Sequence, residues 1–228
     1  MKTKTRFAWK QFLKNLAIIA IPVALQNMLT TTGSMIDTMM IAPLGETTVG
    51  AVGLCAQFSS LMFAGYWGFF GGGMLFFSQY WGAQDDDGID HSYGLTLTCM
   101  MIVGLTFGAF AIFAPETVMK LYTDKENIQV IGAEYLRIIG FGYPVQVFSM
   151  AMSALLRSTE RVRIPLFASI ASVASNIFLN WVFIYGKFGL PEMGVRGAAL
   201  ATSLAAVING FGHFDFGACT EVPVSVPL

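Results

Sequence analysis

Long apolar stretches alternate with short polar connections along the whole chain. Six stretches stand out, over residues 16–42, 51–81, 93–114, 128–156, 164–185 and 194–210. A helix needs about 20 mostly apolar residues to cross the hydrocarbon layer of a bilayer. The pattern therefore predicts an all-α integral membrane protein with six transmembrane helices. The second and fourth stretches exceed that length, so they are expected to tilt or to protrude beyond the lipid. The sixth is short, rich in Ala and Gly, and runs into a polar tail. Pro22 and Pro144 fall inside the first and fourth stretches; each removes a backbone donor and is expected to kink its helix.

The connections are too short to fold by themselves, so function must lie among the helices. Residues 43–50 carry Pro, Gly and Thr, and 82–92 hold the acidic run Asp85, Asp86, Asp87 and Asp90. Residues 115–127 are mixed in charge, 157–163 are basic, and 186–193 contain Gly-Leu-Pro. The expected organisation is a basic segment over 1–15, a helical unit over 16–210, and an atypical tail over 211–228.

Composition agrees with the membrane reading. Of 228 residues 55% are hydrophobic and only 12% charged, whereas soluble domains carry about 25% charged residues. Charge also sets the expected orientation. Lys2, Lys4, Arg6, Lys10 and Lys14 precede the first span, and Arg157, Arg161 and Arg163 follow the fourth. The other side receives Lys120, Lys125, Lys187 and Arg196. The excess places the N-terminus in the cytoplasm. A signal-peptide reading of the N-terminus fits less well, because the apolar segment outruns an h-region and no clear A-x-A site follows. No basic surface with interleaved aromatics supports nucleic-acid binding. Cys55, Cys99 and Cys219 are scattered and read as small apolar residues, not a disulfide framework.

Few polar side chains interrupt the spans, and each needs a reason, since a buried charge costs at least about 2.5 kcal/mol there. Asp37 is the one carboxylate well inside a span. It shares a helix side with Gln26, Thr30 and Gly33 or Ser34. The fifth span carries a matching stripe of Ser169, Ser172, Asn176 and Asn180. Neither stripe can face lipid, so the two are expected to meet each other or a watery cavity. A carboxylate beside amides and hydroxyls can hold a proton or a small cation such as Na+. The plainer alternative is that the Ser and Thr residues hydrogen-bond helices together; a carboxylate at such depth argues for function. Glu134 and Arg137, three residues apart, are expected to pair at the membrane interface. Gly71, Gly72 and Gly73 lack the Lys and βα context of a phosphate loop and read as a packing site. No H-E-x-x-H or G-x-S-x-G occurs, and the only histidines are His91 and His213, so no enzyme activity and no cofactor are expected.

Several segments resemble one family. Pro22 to Gln26 (PVALQ) with Met35 to Ala42 (MIDTMMIA) looks like the first helix of MATE (multidrug and toxic compound extrusion) transporters. Ser78 to Asp85 (SQYWGAQD) resembles the junction after helix two, and Leu155 to Pro165 (LLRSTERVRIP) the loop between helices four and five. Asn176 to Gly186 (NIFLNWVFIYG), Phe188 to Pro191 (FGLP) and Gly194 to Thr202 (GVRGAALAT) resemble its most recognisable segment. The likeness spans about residues 10–210.

The resemblance implies one six-helix lobe of a two-lobe exporter of the plasma membrane. Such a protein moves small cationic lipophilic compounds against H+ or Na+. It assigns ion coupling to Asp37, Asn176 and Asn180, with Gln26, Thr30, Ser34 and Ser172 as polar support. Phe58, Tyr66 and Trp67 are expected along the substrate path. Asn180 stands where some members carry a second carboxylate, which puts a two-acid relay in doubt. From Phe211 onward the likeness ends, and the tail reads as a truncated or frame-shifted end; a missing second lobe or a homodimer would complete the cavity. The rivals are a flippase for lipid-linked precursors, whose cavity should be more basic, and a non-transporting fragment.

Overall fold

The computed structural model describes residues 9–218, and every described segment longer than a turn is helical. Eight α-helices follow in order: α1 (Trp9–Ile41), α2 (Glu46–Ala83), α3 (Asp86–Phe113), α4 (Pro115–Tyr122), α5 (Glu126–Ile139), α6 (Tyr143–Ser158), α7 (Arg163–Ile184) and α8 (Gly194–Ala218). They build six spans, because α5 and α6 lie end to end in one segment, Glu126–Ser158. The protein is thus a multi-pass membrane protein.

The break in the fourth span has a local cause. Gly140–Gly142 forms a 3-10 turn and Pro144 falls in the first turn of α6. Proline is tolerated there because its missing donor is among those a helix start leaves unpaired. The expected kink takes the form of a short 3-10 turn between two α-helices, placed at the glycines just before the proline. Pro22 remains inside α1. The loop over 115–127 holds the two-turn helix α4, opened by Pro115. The sixth span also differs from expectation: α8 continues past residue 210, through Asp215, to Ala218. Likewise α1 begins at Trp9, inside the segment expected to be a basic lead. Residues 1–8 and 219–228, with most of the expected lead and tail, lie outside the described residues.

Each core helix buries one stripe. On α2 the buried positions are Thr48, Ala51, Cys55, Phe58, Met62, Tyr66, Phe70, Gly73 and Phe77, a run of steps of three and four. Those steps keep one face turned inward. α3 answers with Ile89, Tyr93, Thr96, Met100, Gly104 and Ala111. Gly104 is needed where α3 meets α6, since a Cβ there would lie 2.7 Å from Val147 Cγ2. Outward-facing side chains are apolar too, among them Met28, Met39, Leu75, Leu95 and Phe113, which fits a lipid surround. In water such a surface would be a large exposed patch.

α1 is the least covered span, and its main neighbour is α7. Further packing joins α7 to α8, α2 to α3, α5 and α6, α5 to α4 and α8, and α6 to both α3 and α8. One end of the bundle, called here the basic end, gathers the start of α1, the α2–α3 junction, the end of α6 and the start of α7.

Candidate functional site

α1 and α7 run side by side in fixed register. Gln26 Nε2 donates to Ser169 Oγ at 2.8 Å, and Asn180 Nδ2 donates to Asp37 Oδ1. Both pairs are separated by 143 residues. The pairs are eleven positions apart on each helix, close to three turns, so the same faces meet about 16 Å further along. Beyond them Tyr185 Oη donates to the Met40 carbonyl at 3.0 Å, closing the end opposite the basic one. Between the two pairs sits Gly33, where a Cβ would come within 3.0 Å of Val173 Cγ1. Its missing side chain lets the helices close.

The polar stripes expected on α1 and α7 thus face one another. They also line a cavity of about 450 Å³ bounded mainly by α1, α6, α7 and α8, with Ser59 of α2 and Ile139 of α5 at its wall. From α1 come Gln26, Thr30, Ser34 and Asp37; from α7 come Ser169, Ser172 and Asn176. Asn180 is fully buried behind Asp37. Its amide nitrogen also donates to Asn176 Oδ1 at 3.3 Å, while its own Oδ1 is buried and unpartnered. One carboxylate and two amide groups therefore converge at this end of the cavity. Among the described residues no group of three or more His, Cys, Asp or Glu side chains forms. The donor set is oxygen with a single negative charge, which suits a proton or a hard monovalent cation better than a thiophilic metal.

Other expected residues take more ordinary parts. Ser172 Oγ donates to the Ala205 carbonyl at 2.8 Å, tying α7 to α8. Thr30 Oγ1 donates to carbonyls of its own helix, at Gln26 and Asn27. Phe58, Tyr66 and Trp67 do not line the cavity. Phe58 and Tyr66 belong to the buried stripe of α2, Phe58 against Phe107 and Tyr143, and Tyr66 against Phe63. Trp67, one position round the helix, is exposed and stacked on Phe70. The stripe period that buries residues 58, 62 and 66 against α3 also turns them away from α1 and α7.

Glu134 and Arg137 do not pair with each other. Glu134 accepts two hydrogen bonds from Arg196, at 2.7 and 3.0 Å, and Arg137 reaches Glu116 at 3.5 Å. Each reaches to a neighbouring helix, so the pairs tie α5 to α8 and to α4.

Much of the cavity wall was not foreseen. α6 supplies Gln146, Ser149, Ser153 and Arg157, and α8 supplies Thr202, Ser203, Asn209 and His213. Spacing held part of the signal: Ser149, Ser153 and Arg157 recur every fourth residue on α6, and Asn209 and His213 do so on α8. Arg157 counted as a loop residue in the sequence, yet it lies in the last turn of α6 and donates to Gln26 Oε1 at 2.8 Å.

The MatE family profile matches residues 22–182, more than half of the chain. The chain belongs to the MatE family. The match runs from α1 to the end of α7 and so includes Asp37, Asn176 and Asn180. Among curated relatives, the "Probable multidrug resistance protein YoeA" of Bacillus subtilis is 26% identical over 195 residues, covering 85% of this chain and 42% of its own. A "Probable multidrug resistance protein NorM" of Neisseria meningitidis serogroup A is 26% identical over 201 residues, covering 86% of this chain and 44% of its own. The MatE chain described here thus spans less than half the length of these relatives. A solved structure described as an outward-facing MATE family transporter of the MOP superfamily superposes with a TM-score of 0.82 at 24% identity. It covers 94% of this chain and 47% of its own. At that identity the likeness speaks to the fold, the six-helix MATE lobe.

Proposed function

We propose that this MatE chain is one lobe of a secondary active exporter in the plasma membrane. It would move small lipophilic cations outward against H+ or Na+, with its N-terminus in the cytoplasm. Asp37 is the coupling group in this reading, held by Asn180 and accompanied by Asn176. The single observation that carries it is a carboxylate on a polar cavity wall within a span, among neutral amides and, among the described residues, without a basic partner. Such a group changes charge state when it gains or loses a cation, and that change is what an antiporter must link to substrate release. Gln26, Thr30, Ser34 and Ser172 line the route. The cavity's open flank would face a second six-helix unit, supplied by a further polypeptide segment or by a second copy.

The test is ethidium efflux from energised cells producing the chain, beside Asp37→Asn at equal membrane abundance. The substitution should raise ethidium retention to the level of cells without the protein. Efflux retained in Asp37→Asn would refute the coupling role. A second readout needs no second lobe. Trp181 adjoins Asn180 on α7, so tryptophan fluorescence of purified protein should respond saturably to Na+ or to a pH step, and Asp37→Asn should abolish that response.

A further inference from the structure

The cavity has a second polar end, about 16 Å from Asp37 along α1, which the coupling reading does not use. Arg157 projects there from the last turn of α6. Its guanidinium carries five N–H donors. One goes to Gln26 Oε1, and Gln26 in turn donates to Ser169. The Nε–H is buried and meets no acceptor. No carboxylate among the described residues forms an ion pair with Arg157; the pairs Arg137 with Glu116 and Arg196 with Glu134 lie elsewhere. A guanidinium at the edge of a bilayer core without a counter-charge is costly, and such groups are kept where they meet a partner.

Two further buried groups point the same way. Ser153, one turn before Arg157, is 6% exposed and its hydroxyl has no partner. His213 on α8 is 3% exposed, and its Nε2 has none either. Both line the cavity that Arg157 lines. α8 lies close to α6 here, since a Cβ on Gly210 would stand 3.1 Å from Ser149 Oγ. His213 Nδ1 is 2.6 Å from the Asn209 carbonyl. A carbonyl only accepts, so Nδ1 carries a hydrogen, and in the neutral ring Nε2 offers a lone pair.

We propose that this end of the cavity, formed by Arg157, Ser153 and His213, binds a singly charged phosphoryl group. The chemistry fits donor by donor. Two anionic oxygens accept from the Arg157 Nε–H and the Ser153 hydroxyl, and the P–OH donates to His213 Nε2. One proton is then shared between phosphate and imidazole, whichever of them holds it. The ligand's single negative charge balances the single guanidinium. Free phosphate and a phosphorylated amphiphile present the same group, and the site is lined to take either. Asp37 lies too far away to share this ligand's charged end, so the site is independent of the coupling role.

Calorimetric titration of the purified 228-residue protein in an uncharged maltoside tests this, with inorganic phosphate and hexyl phosphate as probes. Saturable binding of at least one probe is expected. Arg157→Gln should weaken it by on the order of tenfold or more, and Ser153→Ala by roughly threefold, as befits a charged and a neutral donor. Asp37→Asn should leave it unchanged, which separates this site from a failure of the coupling reading. Should Arg157→Gln not fold, Asn209→Asp adds a negative charge to the cavity wall that Arg157 also lines, which opposes the binding of an anion. That variant should abolish binding while keeping thermal stability. Equal affinity for both probes identifies the ligand as a free ion; binding of hexyl phosphate alone identifies a phosphorylated amphiphile. No saturable binding of either probe, or undiminished binding in both Arg157→Gln and Asn209→Asp, would overturn the proposal.

Discussion

Gly33 offers a direct test of the α1–α7 contact on which the candidate site depends. A Cβ there would lie 3.0 Å from Val173 Cγ1 and 3.3 Å from Cγ2, against an optimum near 3.5–4.0 Å between carbons. Val173 is β-branched and holds a fixed rotamer in a helix, so it cannot swing aside cheaply. Gly33→Ala should be close to neutral, because the tight contact offsets the roughly 1 kcal/mol that alanine gains over glycine inside a helix. Gly33→Val adds two γ-carbons to a place already short of room and should cost about 2 kcal/mol, typical of overpacking. For a chain of this size that is a fall of roughly 4–8 °C in Tm. Val173→Ala in the same protein should restore at least half of it. The assay is thermal unfolding in detergent for the four proteins of the double-mutant cycle, with a coupling of about 1 kcal/mol or more expected. Gly33→Val at wild-type Tm, or effects that simply add, would refute the close approach and with it the register joining Gln26 to Ser169 and Asp37 to Asn180.

Two smaller predictions follow from other contacts. Arg196 and Glu134 pair bidentately but stay largely exposed, with side chains 58% and 43% accessible; Arg196→Ala should therefore lower Tm by no more than about 2 °C, and 0.5 M NaCl should erase the difference. A larger, salt-independent loss would show that the pair is shielded. Cys55 is 1% exposed, its thiol directed at the Gly132 carbonyl at 3.4 Å beside Met119. In a Cys219→Ser background it should resist N-ethylmaleimide until the protein is denatured, and labelling in the native state as fast as Cys99 would contradict that burial.

What the sequence displayed well was whatever depends on one helix at a time. Six apolar stretches become six spans, because length and hydropathy are properties of single segments in lipid. The stripe from Gln26 to Asp37 and the stripe from Ser169 to Asn180 were visible for the same reason. Their equal spacing of eleven positions allows both ends to pair at once, but that Gln26 meets Ser169 and Asp37 meets Asn180, the parallel arrangement, comes from the structure. The partners of Glu134 and Arg137 could not be read this way. Their i, i+3 spacing permits a local pair, but Arg196 and Glu116 lie on neighbouring helices and offer better geometry, and tertiary neighbours outrank a contact worth a few tenths of a kcal/mol. The aromatic residues of α2 are the opposite case, since they lie away from the cavity described here. Rings in a span look suited to an organic substrate, yet a period of three and four already assigned Phe58 and Tyr66 to the side that packs on α3.

Arg157 is the most instructive miss, because the rule that hid it is sound. Arginines just beyond a span are normally solvated and set topology, and Arg157 sits in such a cluster with Arg161 and Arg163. What separates it from them is its phase on α6. It lies four residues after Ser153 and eight after Ser149, so it continues a polar face that a loop residue would have no reason to continue. The side chain is long enough to snorkel toward water, as arginines at helix ends do, and here it bonds Gln26 on α1 instead. That choice links α6 to the α1–α7 pair through Gln26 and Ser169. The same link puts a positive charge at one end of a cavity that has Asp37 near the other. A binding chamber with opposite charges some 16 Å apart discriminates by the separation of a ligand's charged groups as well as by their sign. In the two readings proposed above, a lipophilic cation would be drawn to the Asp37 end and a phosphoryl group to the Arg157 end.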